Sequence, residues 1–301
     1  MFKHLLVPLD GSKLAESVLP PAAVMAKILN ARVTLVHVIE ENPPSEIHGE
    51  PHLKNPDEAG KYLTDTARRA FPSDVHVEYH VHTTEVRNVA KSIAAHVGEF
   101  DTDLIILCTH GRGGLRDLLM GNIAQQVIAM GVTPVMIIRP TMDKAPASFD
   151  CKRLLVPLDG DPEHEQGLPV AVNLARIFGT SMQLLMVVPT RRALSGRWAI
   201  TRRLLPGATS EMLDLSVQDA KLHLQKHEAE LKNIGLTVSH EIFRGDPAKI
   251  IAEEAAKSRT DLIVLGTHGK SGLDAFWQGS VASRICSLCR LPLLLVPLKK
   301  K

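Results

Sequence analysis

Short apolar runs alternate with longer, more polar segments along the whole chain. The first half carries HLLVPL, RVTLVHVI, VHVEYHV, DLIILC and PVMIIR, and the second half carries RLLVPL, MQLLMVV, LTVSHEIF, DLIVLG and PLLLVPL. Because these runs are short, rich in Val, Ile and Leu, and bounded by polar residues, they predict buried β-strands. Segments with helical spacing, such as LAESVLPPAAVMAKIL and AKLHLQKHEAELKNI, separate them.

In each half this pattern therefore predicts five strands that alternate with four helices. This alternation requires crossover connections, and so a parallel sheet with helices on both faces, which is an α/β fold. Two helix starts are marked in the second half, where Asp161 and Asp246 each precede a proline. Both pairs predict a capping carboxylate followed by proline at the first helical position.

The two halves are copies of one unit. KHLLVPLDGS returns 149 residues later as KRLLVPLDGD, and THGRGGL returns 158 residues later as THGKSGL. Such self-similarity predicts two domains of one architecture. We place the first domain (the first repeat) at residues 1–140, a linker at 141–150, and the second domain (the second repeat) at 151–301.

Composition narrows the class of protein. Of the 301 residues 45% are hydrophobic and 23% are charged, and the net charge of +2 does not favour a nucleic-acid partner. No apolar window approaches the roughly 18 residues of a membrane span, and the apolar run in MFKHLLVPLD is too short for a signal peptide. The four cysteines form no disulfide framework. These features predict a cytoplasmic protein with no membrane partner.

A glycine-rich stretch, GTHGKSGLDAFWQGS, follows the fourth predicted strand of the second repeat with the spacing G-x2-G-x9-G-S. Glycines at a strand end let the backbone approach a ligand closely. We expect a helix to begin at about Gly279, so that its free N–H groups and dipole face an anion, with the Ser280 hydroxyl as a further donor in the first turn. A phosphate group suits this arrangement. The stretch is neither a Walker A loop nor a G-x-G-x-x-G turn after a first strand.

With this motif in that position, and with VPLDG opening both repeats, the chain resembles a tandem universal stress protein over nearly its whole length. The resemblance implies two Rossmann-like domains of the adenine nucleotide α-hydrolase type, each with a five-stranded parallel sheet flanked by helices. It also implies binding of ATP, or of ADP or AMP, with or without Mg²⁺.

The resemblance further implies which residues of the second repeat hold the nucleotide. Pro157 and Asp159 flank the adenosine, and Asp159 and Val187 lie near the adenine edge. A carboxylate at a strand end is chemically suited to this role, because it accepts hydrogen bonds from adenine or ribose donors. The other implied positions are Leu265 and Gly266 in the same pocket, and Gly269, Gly279, Ser280 and Val281 at the ribose and phosphates.

The first repeat keeps only part of this pattern. Cys108 replaces the first glycine, where we expect its side chain to add bulk at the ligand, and Asn122 replaces the serine. The segment RGDPAKII of the second repeat has the counterpart HTTEVRNV, which lacks the Gly and the Pro. We therefore predict that nucleotide binds chiefly in the second repeat and that the first site is degenerate or altered. Its corresponding positions are Pro8, Asp10, Val38, Gly111, Gly121 and Asn122.

Two further segments have a chemical and a structural interpretation. Cys286 and Cys289 form C-x-x-C late in the last predicted helix, which favours buried thiols over a redox or zinc pair. The segment Arg191–Arg203 holds five arginines and Trp198. It is interpreted as a solvated loop, with a flap over the nucleotide or a contact for an anionic partner as the alternative.

Histidines are concentrated in the first repeat, which has nine of the fourteen. His80 and His82 share one face of a predicted strand, and His223 and His227 are spaced i, i+4 on a predicted helix. The histidines of the first repeat leave a weak metal site or pH sensitivity open, but no ligand set emerges there, and we assign no metal ligand. No third ligand accompanies the helical pair in sequence, and a solvated polar face is the interpretation for it.

The sequence presents no convincing catalytic constellation, so it predicts no catalytic residue. His110 and His268 in the glycine loops leave slow ATP hydrolysis open. Three functions remain: a stress-response protein that acts through nucleotide-dependent conformation or partner binding, a weak ATPase or other adenine-nucleotide hydrolase, and a nucleotide-free interaction scaffold.

The resemblance also implies that the two domains form an intramolecular pseudo-dimer through their last strands, at Pro134–Arg139 and Pro292–Val296. Assembly of two chains into a homodimer, and the identity of a protein partner, stay open.

Overall fold

A computed structural model describes residues 1–47, 49–109, 121–131, 133–140, 149–190, 204, 206–267 and 280–298. The chain divides into two compact units. The first unit contains the described residues of Met1–Asp150 together with those of Pro292–Lys301, and the second contains those of Cys151–Thr267 and Gly279–Leu291.

Twelve strands are present in the described residues, and they are numbered in chain order. They are β1 His4–Pro8, β2 Arg32–Glu40, β3 Glu46–Ile47, β4 Glu50–Pro51, β5 Val77–Val86, β6 Leu104–Cys108, β7 Val135–Ile138, β8 Arg153–Leu158, β9 Ser181–Val188, β10 Val238–Arg244, β11 Leu262–Thr267 and β12 Leu293–Pro297.

Eight α-helices alternate with the strands in the same described residues. They are α1 Leu19–Leu29, α2 Pro56–Ala70, α3 Val89–Glu99, α4 Asn122–Met130, α5 Gly167–Phe178, α6 Pro206–Asn233, α7 Pro247–Lys257 and α8 Val281–Leu288. A short 3₁₀ helix, Ala15–Val18, precedes α1.

The sheet of the first unit has the strand order β12-β7-β6-β1-β2-β5. All neighbouring pairs from β7 to β5 are parallel, and β12 pairs with β7 in the antiparallel sense, with Leu293 opposite Ile137 and Leu295 opposite Val135. The last strands of the two repeats therefore pair, as predicted for Pro134–Arg139 and Pro292–Val296. The sheet of the second unit has the order β10-β9-β8-β11 and is parallel throughout.

The central strands are buried because helices pack against the sheets, whereas the outer strands β5 and β10 are partly exposed. Leu5, Leu6, Leu154 and Leu155 are completely inaccessible to solvent. Burying one such side chain contributes about 1.5–3 kcal/mol relative to leaving it exposed. Near-continuous apolar runs are what parallel strands covered on both faces require, so the predicted α/β class and the ten predicted strands are confirmed.

Two features differ from the predicted elements, and one predicted helix cap is confirmed. The hairpin β3–β4 has only two residues in each strand, too few for a periodic signal. Asp246 caps α7 as predicted, since its carboxylate accepts a hydrogen bond from the N–H of Lys249 at 3.0 Å. The predicted cap at Asp161 is wrong, because a series of turns follows Pro162 and α5 begins only at Gly167.

Most of the linker predicted at 141–150 lies outside the described residues. In the described part of the chain, no helix is both long enough and apolar enough to cross a bilayer.

Candidate functional site

The candidate site of the second repeat lies where parallel strands of the second unit end. β8 is paired on one side with β9 and on the other with β11, and Leu158 lies opposite Met186. Strands that run in the same direction bring their carboxyl ends to one edge of the sheet, which is where ligands bind in open α/β sheets. This edge contains five residues singled out from the sequence, namely Pro157, Asp159, Val187, Leu265 and Gly266.

The backbone of Gly266 supports the first turn of α5 at very short range. A Cβ atom added to Gly167 would lie 3.0 Å from the Gly266 nitrogen and 3.3 Å from the Leu265 carbonyl carbon. These neighbours are backbone atoms, so they cannot move aside as a flexible side chain would. A side chain at position 167 would need a backbone shift of a few tenths of an ångström, so glycine allows the close approach of the start of α5 to the end of β11. Sequence analysis missed Gly167 because no spacing rule links it to the glycine motif.

The carboxylate of Asp159 is exposed at the strand edge but already hydrogen-bonded. One oxygen accepts from the backbone N–H of Asp161 at 3.0 Å, and the other accepts from Nδ1 of His164 at 2.6 Å. Each carboxylate oxygen has a second lone pair, so Asp159 keeps the capacity to accept from a ligand donor. The neighbouring imidazole was not predicted and places an ionisable group beside the candidate site.

Ser280 is the N-cap of α8. Its Oγ accepts a hydrogen bond from the N–H of Ser283 at 3.1 Å, and the hydroxyl of Ser283 donates to the Ser280 carbonyl at 2.9 Å. The helix therefore begins at Val281, two residues after the predicted start at Gly279, and Ser280 precedes the first turn instead of lying in it. Val281, also predicted at the ribose and phosphates, is the first residue of α8. Gly269 and Gly279 lie outside the described residues, as does His268.

Arg284 links α8 to the start of α7. Its guanidinium donates to both carboxylate oxygens of Asp246, at 2.7 and 2.9 Å. The hydrogen bond from Arg284, followed by those from the backbone of the first turn of α7, holds the pKa of the Asp246 carboxyl below its usual value. Asp246 belongs to the segment RGDPAKII that distinguishes the second repeat, so this sequence difference has a structural consequence beside the glycine motif.

The first repeat places Pro8, Asp10 and Val38 at the equivalent strand ends. Asp10 there accepts hydrogen bonds from the N–H and the hydroxyl of Ser12, at 2.9 and 2.7 Å. Ser12 in turn caps the following turn by accepting from the N–H of Ala15 at 3.1 Å. The side-chain partner of Asp10 is therefore the Ser12 hydroxyl, whereas that of Asp159 is the His164 imidazole.

The helix that follows the glycine motif in the first repeat lacks a side-chain cap. The N-cap of α4 is Gly121, which has no side chain to accept a hydrogen bond from the first turn. Asn122 is the first helical residue. The Asn122 carboxamide oxygen accepts from Gln126 one turn later, at 2.9 Å. Gln126 occupies the position of Arg284, so this repeat has no counterpart of the Asp246–Arg284 pair among its described residues. Gly111 and His110 lie outside them.

The thiol of Cys108 contacts the segment that leads into α1. It donates to the carbonyl of Leu14 at 3.1 Å and lies 3.2 Å from the Ser17 hydroxyl. In the second repeat the corresponding contact is the glycine pair Gly167 and Gly266. The neighbouring helical segment thus accommodates the Cys108 thiol, and the expectation that it adds bulk at a ligand stays a prediction.

The remaining candidates separate into buried thiols and histidine clusters. Cys286 and Cys289 are buried thiols that form no disulfide, as predicted. The prediction that His223 and His227 lack a third ligand is wrong, because Glu165 accepts from both imidazoles, at 2.5 and 3.1 Å. Glu165 precedes α5 and is distant in sequence from α6. The basic segment Arg191–Arg203 lies outside the described residues.

Comparisons with known proteins agree with this architecture. The model of the universal stress protein family matches residues 1–139 and again residues 151–297. Universal stress protein Rv2005c of Mycobacterium tuberculosis is 24% identical over 307 residues, which cover 96% of this chain and 95% of that protein. Universal stress protein MJ0531 of Methanocaldococcus jannaschii is 31% identical over 154 residues, which cover 50% of this chain and 84% of that protein.

A solved structure extends the likeness to the fold of the whole chain. The crystal structure of a universal stress protein from Archaeoglobus fulgidus superposes with a TM-score of 0.70 at 16% identity, and covers 99% of this chain and 97% of that one.

Proposed function

The chain belongs to the universal stress protein family, and we propose that it binds ATP, or ADP or AMP, chiefly in its second domain. In this proposal the domains are residues 1–140 and 151–301, joined by a linker at 141–150. The protein acts in the cytoplasm in the response to stress, and bound nucleotide changes its conformation or its contacts with a protein partner.

The observation that carries the proposal is the convergence at one edge of the second unit's sheet. Asp159 presents an acceptor-only carboxylate at the end of β8, and Gly266 presents backbone at the end of β11. Adenine and ribose offer hydrogen-bond donors that suit such a carboxylate. Ser280 begins a helix by the glycine motif, and a helix N-terminus with free N–H groups suits a phosphate.

The preference for the second domain follows from how rigidly its site is supported. The Gly167–Gly266 contact positions α5 against the first glycine of the motif, and the Asp246–Arg284 pair positions α8, the helix that follows the motif. Binding groups that are held in place before the ligand arrives lose less conformational entropy on binding. The first domain has a thiol contact at Cys108 and an amide at Gln126 instead, so its site lacks both supports.

Nucleotide bound only to the folded protein must stabilise it, by RT ln(1 + [L]/Kd). At a ligand concentration of about one hundred times Kd this amounts to about 2.7 kcal/mol. A nucleotide that binds one conformation of the second domain more tightly than another shifts the equilibrium between them by that difference in affinity, and through it the affinity for a partner. This is the regulatory mechanism that we propose.

The test is the identification of ligand released by denaturation from freshly purified protein, by chromatography and mass spectrometry. We expect ATP, ADP or AMP near one molecule for each chain, or, if the protein is isolated empty, an increase in Tm on addition of MgATP. A clean supernatant together with an unchanged Tm contradicts the proposal and favours the scaffold function. Release of ADP and phosphate at a steady rate identifies a weak ATPase, and its absence leaves a binding protein.

A further inference from the structure

Three histidines of the first unit come together although they are distant in sequence. His80 and His82 lie on one face of β5, an edge strand, and His96 lies on α3. The ring centroids of His96 are 4.8 Å from His80 and 5.0 Å from His82. One ring nitrogen from each of the three lies within 4.8 Å of those of the other two. The structure thus supplies the third ligand that the sequence did not reveal.

The hydrogen bond that His96 makes determines which of its nitrogens carries the lone pair in the neutral ring. Nδ1 donates a hydrogen bond to the Glu99 carboxylate at 2.6 Å, which leaves the lone pair of the neutral ring on Nε2. The side chain is only 3% exposed, and Nε2 is buried without a hydrogen-bond partner in the described residues. A buried polar atom without a partner destabilises a fold by about 1–3 kcal/mol. A cation placed between the rings removes that cost.

The cluster has the ligands of a transition-metal site and a carboxylate that orients one of them. Three neutral imidazoles are a ligand set that Zn²⁺ accepts, with one position left for water or another ligand. A histidine that ligates a metal usually donates its other ring nitrogen to a carboxylate, as His96 does to Glu99. Nitrogens about 2.0–2.1 Å from a tetrahedral ion lie roughly 3.3 Å apart, so rotations of the half-buried His80 and His82 suffice to close the site.

We propose that His80, His82 and His96 bind a Zn²⁺ ion in the first domain, with Glu99 as the positioning residue. The site is separate from the nucleotide proposal and does not depend on it. The second repeat places Glu241 and Phe243 at the strand positions of His80 and His82, and Glu254 at that of His96. The fold itself therefore does not require the imidazoles.

The cluster of Glu165, His223 and His227 is the natural comparison within the same chain. It also brings three ligand atoms within 4.8 Å of one another. There, however, the two imidazoles already donate to the carboxylate, so a metal ion has to displace both hydrogen bonds. The His80–His82–His96 cluster has no such competition at His96 Nε2, which is why we assign the tighter site to it.

The test uses the full chain without a polyhistidine tag, stripped with a chelator and titrated with Zn²⁺ in a calorimeter. The variants are His80→Asn/His82→Asn, Glu99→Gln and, as the matched control, His223→Asn/His227→Asn. The strand variant changes only half-buried side chains, and circular dichroism checks its fold. Co²⁺ serves as a spectroscopic probe, because the intensity of its visible bands reports the geometry of its ligands.

We expect one tight Zn²⁺ site in the wild type and in the His223→Asn/His227→Asn control. The His80→Asn/His82→Asn variant should lose the site, and Glu99→Gln should weaken it by about 10- to 100-fold. The Co²⁺ bands should vanish in the strand variant alone. No tight binding by the wild type, or loss of the site in the control with retention in the strand variant, overturns the proposal.

Discussion

Arg284 and Asp246 form a two-pronged ion pair, with nitrogen–oxygen distances of 2.7 and 2.9 Å. Asp246 at the same time caps α7, and Arg284 lies in the first turn of α8. One carboxylate therefore sets the start of one helix and holds the next. Because α8 follows the glycine motif directly, the pair connects the sequence difference between the repeats to the geometry of the candidate site.

Replacing Asp246 tests this connection. Loss of an N-cap alone costs about 1 kcal/mol, and Asp246→Ala should exceed this because Arg284 also loses its partner. Asn88→Ala is the matched control, since Asn88 caps α3 of the first repeat by accepting from Lys91 without any described ion pair. Urea unfolding compares the two variants. Equal destabilisation contradicts a role for Arg284.

The same carboxylate predicts a pH dependence. Its pKa is lowered in the folded protein, so its contribution to stability is present above the unfolded value of 3.8 and is lost as the pH falls through the folded pKa. Asp246→Asn should therefore be less stable than the wild type at about pH 7, and the difference should shrink under strongly acidic conditions. If the difference in stability between the two proteins does not change with pH over that range, the charge of Asp246 does not stabilise the fold.

The contact between Gly167 and Gly266 predicts a strong dependence on side-chain size. Gly167→Ala should destabilise the protein by about 1–3 kcal/mol, because its Cβ forces the backbone at Leu265 and Gly266 to shift. Gly60→Ala, also in a helix but with no atom within 4 Å of the added Cβ, should instead stabilise by about 0.5–1 kcal/mol. Thermal unfolding of both variants measures the contrast, and effects of the same sign count against the packing argument.

His4 predicts a second pH dependence, at a higher pH. Its Nδ1 donates to the Phe100 carbonyl at 2.9 Å and its Nε2 accepts from the Thr34 hydroxyl at 2.7 Å, so the buried ring is neutral. Burial, followed by the charge of Arg32, lowers the pKa of His4 below 6.5. On acidification His4 is therefore protonated at a higher pH in the unfolded chain than in the folded protein. The free energy of unfolding then falls as the pH drops below about 6.5.

Replacing His4 by a residue that does not titrate should remove this loss. His4→Gln is expected to be less stable than the wild type at about pH 8, yet to lose less stability on acidification to about pH 5. Thr34→Val provides the control, since it removes the hydroxyl partner and keeps the titrating ring. If both variants lose stability with the same slope, His4 is not the source of the dependence.

The central strands were predictable because they are short, almost uninterrupted apolar runs, as Leu154 and Leu155 in β8 illustrate. The pairing of β7 with β12 followed from the family resemblance, since an apolar run alone does not identify the strand beside it. The start of α5 was misjudged because Asp161 and Pro162 form a turn with the local signature of a helix cap.

The histidine clusters were harder to predict from the sequence, because they depend on contacts between distant segments. Glu165 meets His223 and His227 across 58 and 62 residues, and His96 joins the strand histidines from another element. No spacing pattern encodes such contacts. The assignments of Asp159 and its neighbours to a nucleotide rest on the family motif, and they remain predictions.

The most direct test of the account measures ATP binding by the wild-type chain and by two matched variants, Asp159→Asn and Asp10→Asn. The substitution keeps the side-chain shape and removes the carboxylate from one repeat at a time. Isothermal titration of nucleotide-free protein with ATP gives affinity and stoichiometry, and Tm controls for folding. We predict that Asp159→Asn weakens the main site about tenfold or more, while Asp10→Asn leaves it unchanged. Loss of the main site in Asp10→Asn with retention in Asp159→Asn, or no binding by the wild type, contradicts the account.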